Sequence, residues 1–234
     1  MIDVFAHRGL HITERENTIG AFEAAVSLGV DGVELDVRRT NDGVLVVHHD
    51  ASVDGRSIVE TTRSALPDYV PSLEAALHSL EGVEVNVEIK NGRGVGEIYD
   101  ESGELARQVL QTVATAGWTD RVSISCFDLA TCALVRSLNR DLKVAWLLWD
   151  VEVGDALVQA HVLGFNAVNP HYSSVSAEVM ERAAQLALDV NVWTVNAETD
   201  LERMTALEVA CIITDDPALA RAVVTRGSPK GAGA

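Results

Sequence analysis

Glu34 and Asp36 stand two residues apart inside the apolar run Val33-Glu34-Leu35-Asp36-Val37. On a β-strand, residues i and i+2 share a face. The two carboxylates therefore lie side by side, while Val33, Leu35 and Val37 face the other way. Two like charges so placed in a buried setting repel unless something positive lies between them, and a divalent metal ion is the simplest candidate. A third carboxylate recurs in the run VEVNVEIK at 83–90, where alternation puts Asn86, Glu88 and Lys90 on one face. Three carboxylates from two neighbouring elements, with water filling the remaining positions, suit a hard, oxygen-ligated cation such as Mg²⁺ or Ca²⁺. Zinc usually takes more nitrogen or sulfur.

Arg8 and Lys90 are fixed cations expected beside that ion, and a metal, a lysine and an arginine together make a seat for a phosphate group. His7, and His49 about a dozen residues after Asp36, then flank the phosphate as acid and base, because imidazole titrates near neutral pH. Each element also has a plainer reading. A lone strand-end histidine is more often structural than catalytic. Glu34 with Asp36, or Glu88 with Lys90, taken alone reads as an ion-pair arrangement. Trp193 on an apolar strand is more often core than substrate platform, and Cys126 reads as a small buried apolar residue. His11, His48, His78 and His161 are read as surface or packing residues. What favours chemistry is convergence of the chosen residues on one end of the expected sheet.

That sheet is legible in the alternation of the chain. Apolar, β-prone runs occur at 4–6, 32–37, 83–89, 122–125, 144–148, 167–169, 190–195 and 211–214. Helical spacing occupies 18–28, 72–80, 103–116, 129–138, 154–163, 177–188, 201–207 and 218–224. Eight strand-helix units in this length predict an α/β fold, a single-domain (β/α)8 TIM barrel over 1–226 with a flexible tail at 227–234. An open doubly wound sheet would carry a glycine-rich phosphate turn after its first strand; here that strand ends in His7-Arg8-Gly9. In a barrel the chemistry gathers at the C-terminal strand ends, where Ser125, Asn169, His171, Asn196, Thr214 and Asp215 also fall. One piece departs from the alternation. Asn41-Asp42-Gly43 signals a tight turn, a short extension follows at 44–48, then a loop at 51–70, with Pro71 expected to open the next helix.

Composition bounds the partners. A net charge of −17 argues against nucleic acid or an anionic membrane held by bulk electrostatics, while a few local cations still allow a small anionic substrate. No apolar stretch reaches the roughly 18 residues of a membrane span. Three cysteines without metal-ligand spacing read as reduced thiols. With no signal peptide visible in MIDVFAHRG, they lead to the expectation of a cytoplasmic protein. Oligomeric state is not legible.

The motifs resemble a family, the glycerophosphodiester phosphodiesterases, phospholipase-C-like TIM barrels. AHRG at 6–9, ENTIGAF at 16–22 and GVDGVELDVRRTNDGVLVVHHD at 29–50 are similar to its first three motifs in order and interval. NVEIK at 86–90, NVWTVN at 191–196 and CIITDDP at 211–217 are similar to later ones. The resemblance implies hydrolysis of a glycerophosphodiester to an alcohol and sn-glycerol 3-phosphate, dependent on one divalent cation. It implies His7 and His49 as catalytic residues and Glu34, Asp36 and Glu88 as metal ligands. It further implies Arg8 and Lys90 near the phosphate and Trp193 at the pocket border. His7 as base and His49 as acid is the favoured order, with the reverse left open, as is water against a glycerol hydroxyl as nucleophile. Other readings are a lysophospholipase D or related diesterase, and a barrel that binds phosphodiesters without cleaving them. The chain departs from the pattern in three places: Arg15 stands where proline is common, 51–70 is a shortened insertion after the second strand, and His48 adjoins His49.

Overall fold

Gly32 explains how the bottom of the molecule closes. A Cβ built there would lie 2.4 Å from Cζ of Phe5, so the absence of a side chain lets the Phe5 ring fill the interior between the first two strands. The computed structural model describes residues 1–92 and 99–227. Among these, eight parallel strands close a barrel: β1 (Asp3–His7), β2 (Gly32–Arg39), β3 (Glu84–Ile89), β4 (Val122–Cys126), β5 (Lys143–Leu148), β6 (Ala167–Pro170), β7 (Asp189–Val192) and β8 (Cys211–Thr214). Each pairs with the next, and β1 pairs with both β2 and β8. Helices α1 (Ile19–Leu28), α2 (Leu73–Ser79), α3 (Glu104–Thr115), α4 (Leu129–Leu138), α5 (Val153–Leu163), α6 (Ala177–Gln185), α7 (Glu198–Ala206) and α8 (Pro217–Gly227) follow the strands in turn. The protein is a (β/α)8 barrel.

Period-two alternation divides the interior from the surrounding core. Val33, Leu35, Val37, Val85, Val87, Val122, Ile124, Val144, Val168 and Val190 point outward and are buried under the helices in one continuous apolar layer. The inward set is polar over much of its height. Asn86 donates to the Ser125 hydroxyl at 3.1 Å, Ser123 donates to Asn86 at 3.2 Å, and Asn191 donates to Asn169 at 3.0 Å. Buried polar groups persist only when so paired, and these bonds tie neighbouring strands beneath the pocket.

Three of the boundaries that differ from the sequence reading have a local cause. The seventh strand stops at Val192 rather than 195: Trp193 O then accepts from Tyr172 N, while Val195 N donates to Ile213 O, so the backbone divides between two neighbours. Pro71 does not open α2. Ser72 caps it, its hydroxyl accepting from Ala75 N at 3.2 Å, while the Pro71 carbonyl accepts from Val47 N. Helix α7 begins at Glu198, three residues before its first apolar contact; Glu198 and Asp200 in its first turn suit the helix dipole but carry no hydrophobic period. The extension at 44–48 is a short strand, Leu45–Val47, antiparallel to β2. The segment 51–70 folds as a two-stranded turn and two 3-10 turns over its own small core of Val46, Val53, Ile58, Leu66 and Val70. Of the expected tail, Gly227 ends α8 and the remainder lies outside the described residues. No described helix is long and apolar enough to cross a membrane.

Candidate active site

Strand register builds the site in layers. His7 is level with Glu34, and Glu34 with Asn86; one pair higher, Asp36 is level with Glu88, and Glu88 with Ser125. Because i and i+2 share a face, Glu34 and Asp36 both point inward, as their sequence spacing requires. Glu34, Asp36 and Glu88 each offer an oxygen within 4.8 Å of the others.

Three buried carboxylates face two fixed cations. Lys90 Nζ lies 2.6 Å from Glu88 Oε1 and 2.8 Å from Asp36 Oδ1. Arg8 Nε lies 3.3 Å from Asp36 Oδ2, and its Nη1 reaches Glu16 at 3.0 Å. Glu34 Oε2 accepts from the Arg8 backbone N–H at 3.1 Å, and its Oε1 is buried without a hydrogen-bond partner. With every carboxylate ionised, one negative charge is uncompensated. Burial, then Asp36 and Glu88, push the Glu34 pKa well above its ordinary value. Burial raises Glu88 as well, against the pull of Lys90. Burial also works to raise Asp36, but Lys90, Arg8 and His49 outweigh it and hold that carboxyl well below the usual range. Burial disfavours the Lys90 ammonium, yet Glu88 and Asp36 outweigh it and keep the group charged. A surplus of negative charge, an all-oxygen donor set and an orphaned carboxylate oxygen fit a hard divalent cation.

The turn after β1 aims two residues at this cluster. Arg8 and Gly9 both take positive φ, 57° and 82°, and a Cβ on Gly9 would lie 2.8 Å from Ala21 on α1. The chain thus folds back tightly, leaving His7 and Arg8 over the barrel mouth. His7 Nδ1 lies 2.6 Å from Asp215 Oδ1, and His7 Nε2 lies 3.9 Å from Glu34 Oε2. A carboxylate only accepts, so Nδ1 carries a proton, and Nε2 is the nitrogen left towards Glu34 and the pocket. His49 arrives from the other side. The Leu45–Val47 strand returns beside β2, and the Arg38 side chain grips the His49 carbonyl, Nε to O at 2.9 Å. His49 Nδ1 lies 2.8 Å from Asp50 Oδ1. Burial lowers the His49 pKa, partly offset by Asp36.

A cavity of about 140 Å³ is lined by His7, Arg8, Glu34, His49, Glu88, Lys90 and Trp193, together with Asn86, Phe127 and Leu147. Asp36 lies beneath it, 1% exposed. All eight residues singled out from the sequence are therefore brought to one place. Of the adjacent histidines, His49 lines the cavity, whereas the His48 backbone N–H is tied to Asp36 O. Trp193 lies just past β7, its indole N–H donating to Asn169 O at 2.7 Å.

Sequence reasoning missed the supporting residues. Asn17, 1% exposed, donates to Asp36 Oδ2 at 2.7 Å; it lies inside the ENTIGAF motif, which was its available signal. Asp215 was placed at a strand end without a role, yet it holds His7 and is itself held by Asn196 Nδ2 at 2.6 Å. Burial opposes the charge on Asp215, but the bonds from His7 and His11 outweigh it and hold its pKa well below the ordinary value. His11, read from the sequence as a surface or packing residue, points Nε2 at the same Asp215 Oδ1 from 2.8 Å. The correction has a simple cause: His11 reaches the site through the turn at Arg8-Gly9, which strand periodicity does not describe. Arg15, in place of proline, stacks on Tyr69 of the short insertion at 4.0 Å.

Comparisons with known proteins match this sequence and fold over nearly their whole length. Residues 7–219 match the model of the Glycerophosphoryl diester phosphodiesterase family. A glycerophosphodiester phosphodiesterase of Caldanaerobacter subterraneus subsp. tengcongensis is 29% identical over 245 residues, covering 96% of this chain and 98% of its own. One from Bacillus altitudinis is 28% identical, covering 93% and 96%. The crystal structure of a glycerophosphodiester phosphodiesterase from Parabacteroides distasonis matches with a TM-score of 0.86 and 26% identity, over 97% of this chain and 98% of that one. An Oleispira antarctica phosphodiesterase in complex with the product sn-glycerol-3-phosphate shares the fold, with a TM-score of 0.85 at 18% identity over 96% and 97%.

Proposed function

The chain belongs to the glycerophosphoryl diester phosphodiesterase family, and from that premise we propose that it hydrolyses glycerophosphodiesters to an alcohol and sn-glycerol 3-phosphate in the pocket between His7 and His49. The observation that carries this reading is the convergence of two imidazoles, three carboxylates and two fixed cations on one cavity at the C-terminal end of the barrel. Relatives named for this activity, aligned over nearly the whole chain, support it.

Glu34, Asp36 and Glu88 are the residues that would hold a divalent cation, Mg²⁺ or Ca²⁺. Such an ion supplies Lewis-acid polarisation of a phosphoryl oxygen and a template for the substrate. Arg8 and Lys90 bring positive charge to the same wall and favour an anionic phosphodiester. His7, with Nδ1–H donated to Asp215, accepts the proton of the nucleophile at Nε2, and the nearby carboxylate favours the resulting imidazolium. His49 delivers a proton to the departing alcohol. Trp193 borders the substrate. A cytoplasmic setting belongs to the same proposal and rests on the three buried, unpaired cysteines.

The test is release of sn-glycerol 3-phosphate from a panel of glycerophosphodiesters, with Mg²⁺, with Ca²⁺ and after chelation. We expect release that depends on the added ion. No release from any diester under any of these conditions overturns the reading.

A further inference from the structure

The two nitrogens of the His7 ring have different surroundings. Nε2 faces the carboxylate cluster, 3.9 Å from Glu34 Oε2. Nδ1 lies on the other side, 2.6 Å from Asp215 Oδ1. His11 Nε2 reaches that same oxygen at 2.8 Å. The proposed hydrolysis uses His7 and Asp215 and gives His11 no task. Nor is His11 needed to hold the Asp215 carboxylate. Asn196 Nδ2 already donates to Asp215 Oδ2 at 2.6 Å, while Asn196 Oδ1 accepts from the Asp215 backbone N–H at 2.9 Å and from the Thr214 hydroxyl at 3.1 Å.

His7, His11 and Asp215 each offer a ligand atom within 4.8 Å of the others. The two imidazole rings stand 72° apart with centroids at 6.0 Å, so they do not stack, and each turns a nitrogen to the same carboxylate oxygen. Two imidazoles and one carboxylate suit a borderline cation such as Zn²⁺, unlike the all-oxygen set of Glu34, Asp36 and Glu88. Ligands about 2.0–2.2 Å from a tetrahedral zinc ion lie about 3.4 Å from one another. Each nitrogen-oxygen pair therefore has to open by less than about 1 Å, and the proton on each nitrogen leaves to solvent as the ion enters. The side chains of His7, His11 and Asp215 are 18%, 24% and 29% exposed, which leaves a fourth position to water. The Asn196 bonds supply the outer support that orients a ligating carboxylate.

We propose that His7, His11 and Asp215 form a second metal seat, for Zn²⁺ or a similar transition-metal cation, across the His7 ring from the carboxylate cluster. Zinc bound there silences the enzyme. An ion on Nδ1 draws electron density from the ring and makes Nε2 a weaker base. It also takes from Asp215 the task of stabilising the imidazolium. The seat stands on this geometry alone; the silencing rests on the reading that the pocket cleaves glycerophosphodiesters.

Co²⁺, a coloured substitute for Zn²⁺, tests the seat in protein held in excess Mg²⁺. Four-coordinate Co²⁺ absorbs visible light far more strongly than the six-coordinate ion. We expect an intense visible band that Zn²⁺ abolishes, that Glu34→Gln retains and that His11→Gln lacks. Glutamine can still donate to Asp215 but offers no imidazole, so this variant separates a hydrogen-bonding role from a ligating one. Zn²⁺ should inhibit release of glycerol 3-phosphate by the Mg²⁺-loaded parent, and His11→Gln should need at least roughly 10-fold more Zn²⁺ for the same inhibition. No intense band, a band that survives His11→Gln, or a band lost with Glu34→Gln overturns the seat. A band without inhibition, or equal inhibition of parent and His11→Gln, overturns the silencing. If no diester is cleaved, the cleavage reading fails and the silencing with it, while the band still decides the seat.

Discussion

His7 and Asp215, 208 residues apart in the chain, meet with Nδ1 2.6 Å from Oδ1. Barrel closure brings them together: β1 pairs with β8 so that Ala6 is level with Thr214, and each strand delivers its next residue to the same rim. The contact places a proton on Nδ1 and leaves Nε2 on the pocket side.

Asp215→Asn tests that relationship. An amide can donate to Nδ1 as well as accept from it, and would favour the tautomer with its proton on Nε2. We expect kcat to fall roughly 100- to 10,000-fold with little change in KM, read by steady-state release of glycerol 3-phosphate. Near-normal turnover would show that Asp215 does not orient the base.

Each imidazole should matter separately. His7→Ala and His49→Ala should each lose roughly 100- to 10,000-fold in kcat while melting close to the parent protein, since both side chains border a cavity. His48→Ala should cost far less, because His48 is not among the residues lining that cavity. If His48→Ala and His49→Ala lost activity equally, the placement of His49 as the second catalytic imidazole would be wrong.

The carboxylate cluster predicts an unusual dependence on pH when metal is withheld. The pKa values of Glu34 and Glu88 are raised in the folded protein, so the native state binds protons more tightly than the unfolded chain. Each group then costs stability above its folded pKa. That stability returns as pH falls towards the unfolded value of about 4.3. Asp36, whose pKa is lowered, acts in the opposite sense and loses its stabilisation only at lower pH. In chelator, Glu34→Gln should melt a few degrees higher than the parent at pH 7, about 1 kcal/mol in effect, with the gap closing on acidification. Mg²⁺ or Ca²⁺ should raise the Tm of the parent and not of the variant. A parent Tm indifferent to both ions would remove the metal site.

Gly32→Ala tests barrel closure away from the chemistry. The added methyl would meet the Phe5 ring at 2.4 Å. Overpacking of this kind costs about 1–3 kcal/mol, measurable by urea denaturation. A variant as stable as the parent would mean that Phe5 can move aside.

Much of the protein was legible without coordinates because two periodicities carry it. Period two identified the staves and placed Glu34 with Asp36, and Glu88 with Lys90, each on a shared face. Helical spacing supplied the intervening elements, and alternation of the two made a barrel the economical closed solution. Strand ends then marked where chemistry gathers, so His7, Arg8 and His49 were identifiable by type and position. The tertiary structure decided what depends on register and on tight turns. Which residue faces which across β1, β2 and β3 set the carboxylates at binding distance, and barrel closure joined His7 to Asp215. The positive-φ turn at Arg8-Gly9 carried His11 to the same carboxylate oxygen, and Asn17 came to rest on Asp36. None of these pairs is close in sequence or follows a period, because the forces that make them act between elements and not along one.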